Sequence, residues 1–322
     1  LPPDESGRIE LQRHDRRARE VILNDGPLTE ILLRQWQVEP ERVVSIIDEQ
    51  QPPADQAGQR LAEMLAGPLN PDRLDYLQRD SAHAGVPYGQ VIDVPRLLET
   101  VSFTEDGRQL AVNPKGVSAV ETLIFASYLM YREVYWHHTV RAAQAMLKRA
   151  TTDLLRSGAL HQEELLDLND AQAMALLKER ATGGARELLD NLTGPGRKIY
   201  KRVFDASMAN LPDHEVFARI REGNYWSWDQ LGREICHSLA RATGQDVPEH
   251  ALLIDVAGLG KELFFSVPVL KAGSISDTAD PEVSLIAPWL SRNFDEQAKR
   301  VLLLAPAERV EEFRRHLGLA RS

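Results

Sequence analysis

The chain contains 322 residues, with 38 Lys and Arg against 48 Asp and Glu, which gives a formal net charge of −10. This acidic balance argues against broad non-specific binding to nucleic acid, which requires a surplus of basic side chains. Apolar residues make up 43% of the chain and charged residues 27%, which is typical of a folded rather than a disordered protein. The single cysteine, Cys236, excludes a disulfide framework and a cysteine-based zinc site.

The sequence contains no membrane span, because no stretch approaches about 18 uninterrupted apolar residues. The first residues, Leu1 to Gly7, lack the basic and then apolar layout of a signal peptide. No other targeting signal is visible, so we expect a cytoplasmic protein. The chain begins with Leu rather than Met, which fits a piece of a larger protein and a processed terminus equally well.

Apolar residues at helical spacing dominate the first part of the chain. They predict helices over residues 15–36, 40–47, 54–66, from Asn70-Pro71 onward, 117–156, 169–179 and 184–192. Asn70 is suited to cap its helix, with Pro71 at the first helical position. Residues 101–103 and 109–112 flank Glu105-Asp106-Gly107, which predicts a β-hairpin.

The pattern changes after Gly194-Pro195-Gly196, a strong breaker of regular structure. Short apolar runs predict strands over residues 199–204, 252–256, 263–267 and 301–304, with helices over 213–222, 226–243, 281–292 and 307–317. We therefore predict a mainly α protein in two parts. Residues 1–193 form a helical part that includes the hairpin, and residues 194–322 form an α+β region.

Four side chains share one face of the helix that follows Asn70. At roughly 100° per residue, Tyr76 lies near 40° from Asp72, Asp80 near 80° and His83 near 20°. Two carboxylates, a phenol and an imidazole on one face can bind a metal ion or form hydrogen bonds to a ligand. A solvated polar face gives the same pattern, so geometry alone leaves both interpretations open.

Two blocks of sequence resemble the HD-domain dNTP triphosphohydrolases, which include the SAM-and-HD-domain dNTPases and their bacterial relatives. The first block is Asp-Arg-Leu-Asp-Tyr-Leu-x-Arg-Asp-x-x-His-x-Gly over residues 72–85, and the second is Tyr-Leu-Met-Tyr-Arg-Glu-Val-Tyr-Trp-His-His-Thr-Val-Arg over residues 128–141. The resemblance covers about residues 14–205 and continues weakly to the C-terminus. It implies an HD-type helical core, hydrolysis of a dNTP to deoxynucleoside and triphosphate, and a homo-oligomer.

The resemblance also implies a divalent metal ion held by two His and two Asp, of which the last Asp maps onto Asp72. Oxygen ligands with imidazoles suit Mg, Mn, Fe or Ni, so the identity of the metal stays open. Tyr76 and Asp80 match positions that contact the sugar and phosphates of the nucleotide substrate, and His83 shares their face. Neither a membrane nor a nucleic-acid partner is indicated.

In the second block, Tyr135 matches a tyrosine that packs near the deoxyribose and discriminates against a 2′-hydroxyl. Arg132, one turn earlier, is placed to reach phosphate oxygens. For both residues, the alternative interpretation is ordinary placement on a large amphipathic helix without a role in binding. Near the N-terminus, His14-Asp15 resembles a catalytic His-Glu pair of the family, in which the His assists proton transfer. An exposed histidine at a helix start is the alternative.

Two departures from the family pattern matter. The segment with both metal-binding histidines and the first metal-binding aspartate would precede residue 14, so Asp72 is the one usual ligand in this chain. Many bacterial relatives have an Arg where this sequence has Ser127, which leaves a different phosphorylated substrate open. A non-catalytic nucleotide-sensing or nucleic-acid-associated HD-domain module is therefore the alternative function.

Overall fold

The computed structural model describes residues 14–24, 26–48, 53–257, 266–271, 274–297 and 299–319. These residues form two compact units: the first unit comprises the described residues of 14–134 and 266–294, and the second unit those of 135–257 and 295–319. The chain is mainly α with a β-hairpin and a C-terminal α+β region, which confirms the predicted fold class. The division into 1–193 and 194–322, which differs from these units, stays a prediction.

Helices make up most of residues 14–134. They are α1 (His14–Leu23), α2 (Pro27–Ile31), α3 (Pro40–Ile47), α4 (Gln56–Ala66), α5 (Pro71–Ala84), α6 (Val94–Thr100) and α7 (Val117–Met130). The helices predicted over 40–47, over 54–66 and after Asn70 are confirmed. The helix predicted over 15–36 is divided into α1, α2 and a π-helical turn at Leu32–Trp36. Pro27 explains the first division, because it lacks an N–H group and suits only the first turn of a new helix.

The predicted helix over 117–156 is interrupted in the structure, and the remaining helices follow this interruption. They are α8 (His138–Arg156), α9 (Asp170–Arg180), α10 (Gly183–Thr193), α11 (Glu215–Glu222), α12 (Tyr225–Thr243), α13 (Ile286–Gln297) and α14 (Val310–His316). Between α7 and α8 lies a π-helical turn, Tyr131–Tyr135, which replaces regular α-helix. His137 then leaves the helical conformation, and its Nδ1 accepts a hydrogen bond from the backbone N–H of Thr139 at 3.3 Å. A new helix therefore begins where one continuous helix was expected.

The strands form two small sheets. They are β1 (Val101–Phe103), β2 (Leu110–Val112), β3 (Lys201–Ser207), β4 (Leu253–Val256), β5 (Pro268–Lys271), β6 (Ser274–Asp277) and β7 (Arg300–Ala305). The first unit has the order β1-β2-β5-β6, in which β1 and β2 form the predicted hairpin and β2 pairs with β5 in parallel. The second unit has the antiparallel order β3-β7-β4. Residues 263–265 of the strand predicted over 263–267 lie outside the described residues.

The central strand β7 anchors the core of the second unit. Residues 301–305 are all buried, and they pack with apolar side chains of α8, α10, α12 and α14. A strand that is covered on both faces reads as a continuous apolar run rather than as an alternating one. This is why the sequence identified β7 correctly from four consecutive apolar residues.

The inner face of α5 fixes this helix within the first unit. Leu77 and Ser81 are fully buried, and the Oδ1 atom of Asn70 caps the helix by accepting a hydrogen bond from the backbone N–H of Arg73 at 2.7 Å. The hydroxyl of Ser81 accepts a hydrogen bond from the N–H of Gly89 at 3.0 Å. These contacts orient α5 so that its opposite face points away from the core.

Gly89 allows its own backbone to lie very close to the backbone of α5 at Leu77. A Cβ atom at this position would lie 2.0 Å from the carbonyl oxygen of Leu77, which belongs to the helix backbone. Overfilling a packed interior typically costs about 1–3 kcal/mol, and a helix backbone yields less than a side chain. We therefore expect Gly89→Ala to lower the free energy of unfolding by about 3 kcal/mol, measured by urea denaturation. Gly196→Ala is the control, because no described atom beyond its two chain neighbours lies within 4 Å of its Cβ position. An equal loss in both variants would contradict the prediction.

Candidate functional site

One side of α5, next to its buried face, carries the four side chains singled out from the sequence. Asp72 and His83 are exposed, whereas Tyr76 and Asp80 are half-buried and each has an interaction partner. Asp72 lies in the first turn of α5, where the helix dipole favours a negative charge. The structure therefore brings these four residues together on one side of the helix, next to the buried face of Arg73, Leu77 and Ser81, where they can contact a ligand.

A metal ion would need ligands beyond this face. Within residues 14–319, as far as they are described, no group of three or more His, Cys, Asp or Glu side chains is suitably placed to hold a metal ion. The Asp72 carboxylate is a suitable hard oxygen donor by type, but one exposed carboxylate does not hold a divalent ion. The metal site and the identity of its ion therefore stay predictions.

Arg132 lies in the π-helical turn that follows α7 and is exposed. Its Nε donates to the carboxylate of Glu133 at 2.6 Å, and its Nη1 donates to the hydroxyl of Tyr128 at 2.7 Å. Its guanidinium carbon also lies 5.0 Å from the centre of the Tyr128 ring. These contacts hold the positive charge of Arg132 at the surface. The π-helical turn on which it lies is a conformation that is frequent at functional sites.

Ser127 and the His14-Asp15 pair, which the sequence also singled out, lie on helices other than α5. Ser127 is buried, and its hydroxyl donates to the carbonyl oxygen of Leu123 at 2.8 Å, so it is occupied within its own helix. His14 and Asp15 open α1, but their side chains lie outside the described part of the chain. Their proposed part in proton transfer stays a prediction.

Tyr135 belongs to the second unit, where it lines a cleft of about 310 Å³. The polar and aromatic residues that line the same cleft are Trp136, Arg141, Gln144, Lys148 and Asp255. No sequence motif predicted a role for these other residues. Two basic residues seven positions apart on α8 were the available signal, because that spacing returns to the same helix face.

A separate ion-pair network in the second unit is built around Arg149 and Asp229. The Arg149 guanidinium donates to Asp229 at 2.9 Å and to Asp153 at 2.9 Å, and the side chains of both Arg149 and Asp229 are only 3% exposed. Asp229 also accepts from Arg156 and Arg233. Buried charges are tolerated when they are paired and hydrogen-bonded in this way, so we assign this network a structural role.

Comparison with known proteins places the chain in a family. Residues 92–317, more than two thirds of the sequence, match the profile of the HD associated region. The fold is therefore that of an HD-domain-related protein. The chain belongs to the HD associated region family.

Two curated relatives and two solved structures are similar to the chain. It is 36% identical over 164 residues to the uncharacterized protein MJ1154 of Methanocaldococcus jannaschii, covering 50% of this chain and 35% of the relative. It is 31% identical over 150 residues to the uncharacterized protein YwfO of Bacillus subtilis, covering 47% of this chain and 32% of the relative. The matches thus span about a third of the length of these relatives.

The solved structures share the fold. A hypothetical protein from Aquifex aeolicus superimposes with a TM-score of 0.64 and 22% identity, covering 92% of this chain and 70% of that protein. A phosphohydrolase from Bacteroides thetaiotaomicron superimposes with a TM-score of 0.58 and 20% identity, covering 95% of this chain and 83% of that protein.

None of the helices in the described residues is both long and apolar enough to traverse a bilayer.

Proposed function

We propose that this protein is an HD-type phosphohydrolase that converts deoxynucleoside triphosphates to deoxynucleosides and triphosphate. The observation that carries the proposal is that Asp72, Tyr76 and Asp80 share one side of a firmly packed helix, α5. Membership of the HD associated region family supports it. The solved phosphohydrolase with the same fold adds support for the class of reaction.

The proposed reaction breaks the bond between the α-phosphorus and the 5′-oxygen. The oxygen of water attacks the α-phosphorus, the triphosphate departs from the sugar, and the 5′-oxygen receives a proton. His14, with Asp15 beside it, is the proposed proton donor, because an imidazole titrates near neutral pH and a carboxylate stabilises its protonated form.

The remaining residues would bind and orient the substrate. The carboxylate of Asp80 can accept a hydrogen bond from a sugar hydroxyl, and Tyr76 and His83 can donate to phosphate oxygens. Arg132 would form charge-assisted hydrogen bonds with the phosphates. Tyr135 would pack against the deoxyribose, where a 2′-hydroxyl would lose its hydration without gaining a partner.

A divalent ion, Mg, Mn, Fe or Ni, is part of the proposal. When bound, such an ion polarises phosphate oxygens and lowers the pKa of a bound water molecule. Asp72 would be one of its ligands, and the others would come from outside the described residues or from another chain. Assembly into a homo-oligomer and a cytoplasmic location likewise belong to the proposal.

The test is an assay of the complete protein with each of the four dNTPs, with and without added divalent metal. We expect deoxynucleoside and triphosphate in equal amounts, separated by anion-exchange chromatography. Release of orthophosphate or pyrophosphate would overturn the proposed site of attack. Absence of both turnover and bound metal would instead favour a non-catalytic nucleotide-sensing or nucleic-acid-associated module, with which Ser127 in place of an Arg is compatible.

A further inference from the structure

The cleft of the second unit is lined by one side of α8. Arg141, Gln144 and Lys148 lie at positions i, i+3 and i+7, which fall on the same helix face. Asp255 of β4 and the aromatic side chains of Tyr135 and Trp136 also line it. With two cations and one carboxylate, the charged groups of this cleft carry a net positive charge in a chain whose overall charge is −10.

Arg141 is held in place by Asp255, which lines the same cleft. It is 6% exposed, and its Nε donates to Oδ2 of Asp255 at 2.6 Å. The other N–H groups of its guanidinium donate to no described residue. A guanidinium has five N–H donors, so the pair with Asp255 fixes its position and leaves donors for an incoming oxyanion.

Lys148 is the second cation of the cleft. Its Nζ lies 3.6 Å from the centre of the Tyr225 ring, and it has no hydrogen-bond or ion-pair partner among the described residues. Although much of the side chain is exposed, burial of the ammonium lowers the pKa of Lys148, an effect that Asp255 opposes. A partly dehydrated ammonium without an acceptor gains more from an anion than a fully hydrated one.

Tyr225 supports this ammonium as a neutral ring. Its hydroxyl lies 3.0 Å from the hydroxyl of Thr152, and burial raises the pKa of Tyr225 to about 12. The attraction between a cation and an aromatic face holds the ammonium in position without neutralising its charge. The lysine is therefore oriented by its surroundings but still available to a ligand.

We propose that this cleft is a binding site for the phosphate of a small phosphorylated molecule, with Lys148 and Arg141 contacting the phosphate oxygens. Its volume of about 310 Å³ is at the lower end of small-molecule sites. Tyr135 and Trp136 supply aromatic surface for the rest of the ligand. The inference goes beyond the proposed hydrolysis, which assigns no part to Lys148 or Arg141 and shares with it Tyr135 alone.

The test is isothermal titration calorimetry of the complete protein with inorganic triphosphate and with each dNTP, in EDTA so that no metal-dependent turnover occurs. We expect Lys148→Met to weaken binding of at least one probe about 10-fold to 100-fold, the loss typical of a hydrogen bond to a charged group. Lys178→Met on α9 changes the net charge equally outside the cleft and should leave the dissociation constant within about twofold of the original. Unchanged affinity in Lys148→Met, or no binding of any probe to the unmodified protein, would overturn the proposal.

A second variant tests the same site through a gain of binding rather than a loss. Asp255→Asn removes the one negative charge of the cleft, and the amide oxygen can still accept the hydrogen bond from Arg141. We expect tighter binding of the same probe by several-fold, a result that a misfolded protein cannot produce. Equal or weaker binding would overturn the site.

The proposed hydrolysis and the proposed binding site can fail independently. In Asp72→Ala, the Lys148-dependent binding of triphosphate should persist, because Asp72 is not part of the cleft. Loss of the Lys148 effect with intact turnover would reject the cleft alone. Persistence of the Lys148 effect in a protein that hydrolyses no dNTP would reject the hydrolysis alone.

Discussion

Replacing Asp72 by alanine in the complete protein is expected to reduce kcat/KM for dNTP hydrolysis by at least about 100-fold. The expectation follows from its proposed place as a metal ligand, because even groups that only orient such ligands contribute about 10-fold to 100-fold. Asp72 is exposed in the first turn of α5, so its removal should cost the fold only the dipole interaction, about 0.3–1 kcal/mol. Steady-state kinetics, bound metal by mass spectrometry and a thermal melt measure the three effects.

The matched control for this variant is Asp75→Ala. Asp75 is an exposed carboxylate of the same helix, three residues further on, and it pairs with Arg79 at 2.7 Å. Because its role is that of a surface ion pair, we expect turnover and metal content to be unchanged. Full activity in Asp72→Ala would remove the proposed role of this residue, and an equal loss in both variants would point to helix stability instead.

Replacing Asp229 by alanine is expected to have the largest effect on stability. Its carboxylate is 3% exposed and faces the guanidinium groups of Arg149, Arg156 and Arg233. Without it, Arg149 remains buried and has lost one of its two carboxylate partners. Breaking a buried pair in this way costs about 3–5 kcal/mol, because a charge stays in the interior with less compensation. Urea denaturation followed by far-UV circular dichroism measures the loss.

The control is Asp190→Ala on α10. Asp190 accepts from Arg186 at 3.0 Å, but both side chains are more than half exposed. An exposed pair is screened by water and contributes about 0–1 kcal/mol, so this variant should remain close to the unmodified protein. Asp229→Asn should fall between the two, because the amide keeps a hydrogen-bond acceptor but not the charge. If Asp229→Ala loses no more than Asp190→Ala, the network is hydrated and our assignment is wrong.

The break between α7 and α8 shows where helical periodicity stopped being informative. Residues 117–156 read as one helix because apolar side chains recur throughout, yet the π-helical turn and His137 interrupt it. A π-helical turn adds a residue to one turn, which changes the face on which every later side chain lies. Arg132 lies within this turn, so the helix face on which it lies could not be obtained from residue spacing.

By itself the sequence determined α5 and the face it presents. Asn70 and Pro71 begin the helix, Gly85 ends it in the left-handed conformation, and apolar Leu77 sets its inner side. All of these signals act within a few residues, because helix capping and periodicity depend on near neighbours. The continuous apolar run of β7 is likewise a local signal, and it was sufficient to predict that strand.

Only the tertiary structure decided how the cleft of the second unit is made. Arg141 meets Asp255 across 114 positions of sequence, and Lys148 meets the ring of Tyr225 across 77 positions. Such pairs form when helices and strands pack against one another, and no local pattern specifies which distant carboxylate or ring a basic side chain will meet. The sequence shows the type of each residue, whereas its contact partners depend on long-range packing.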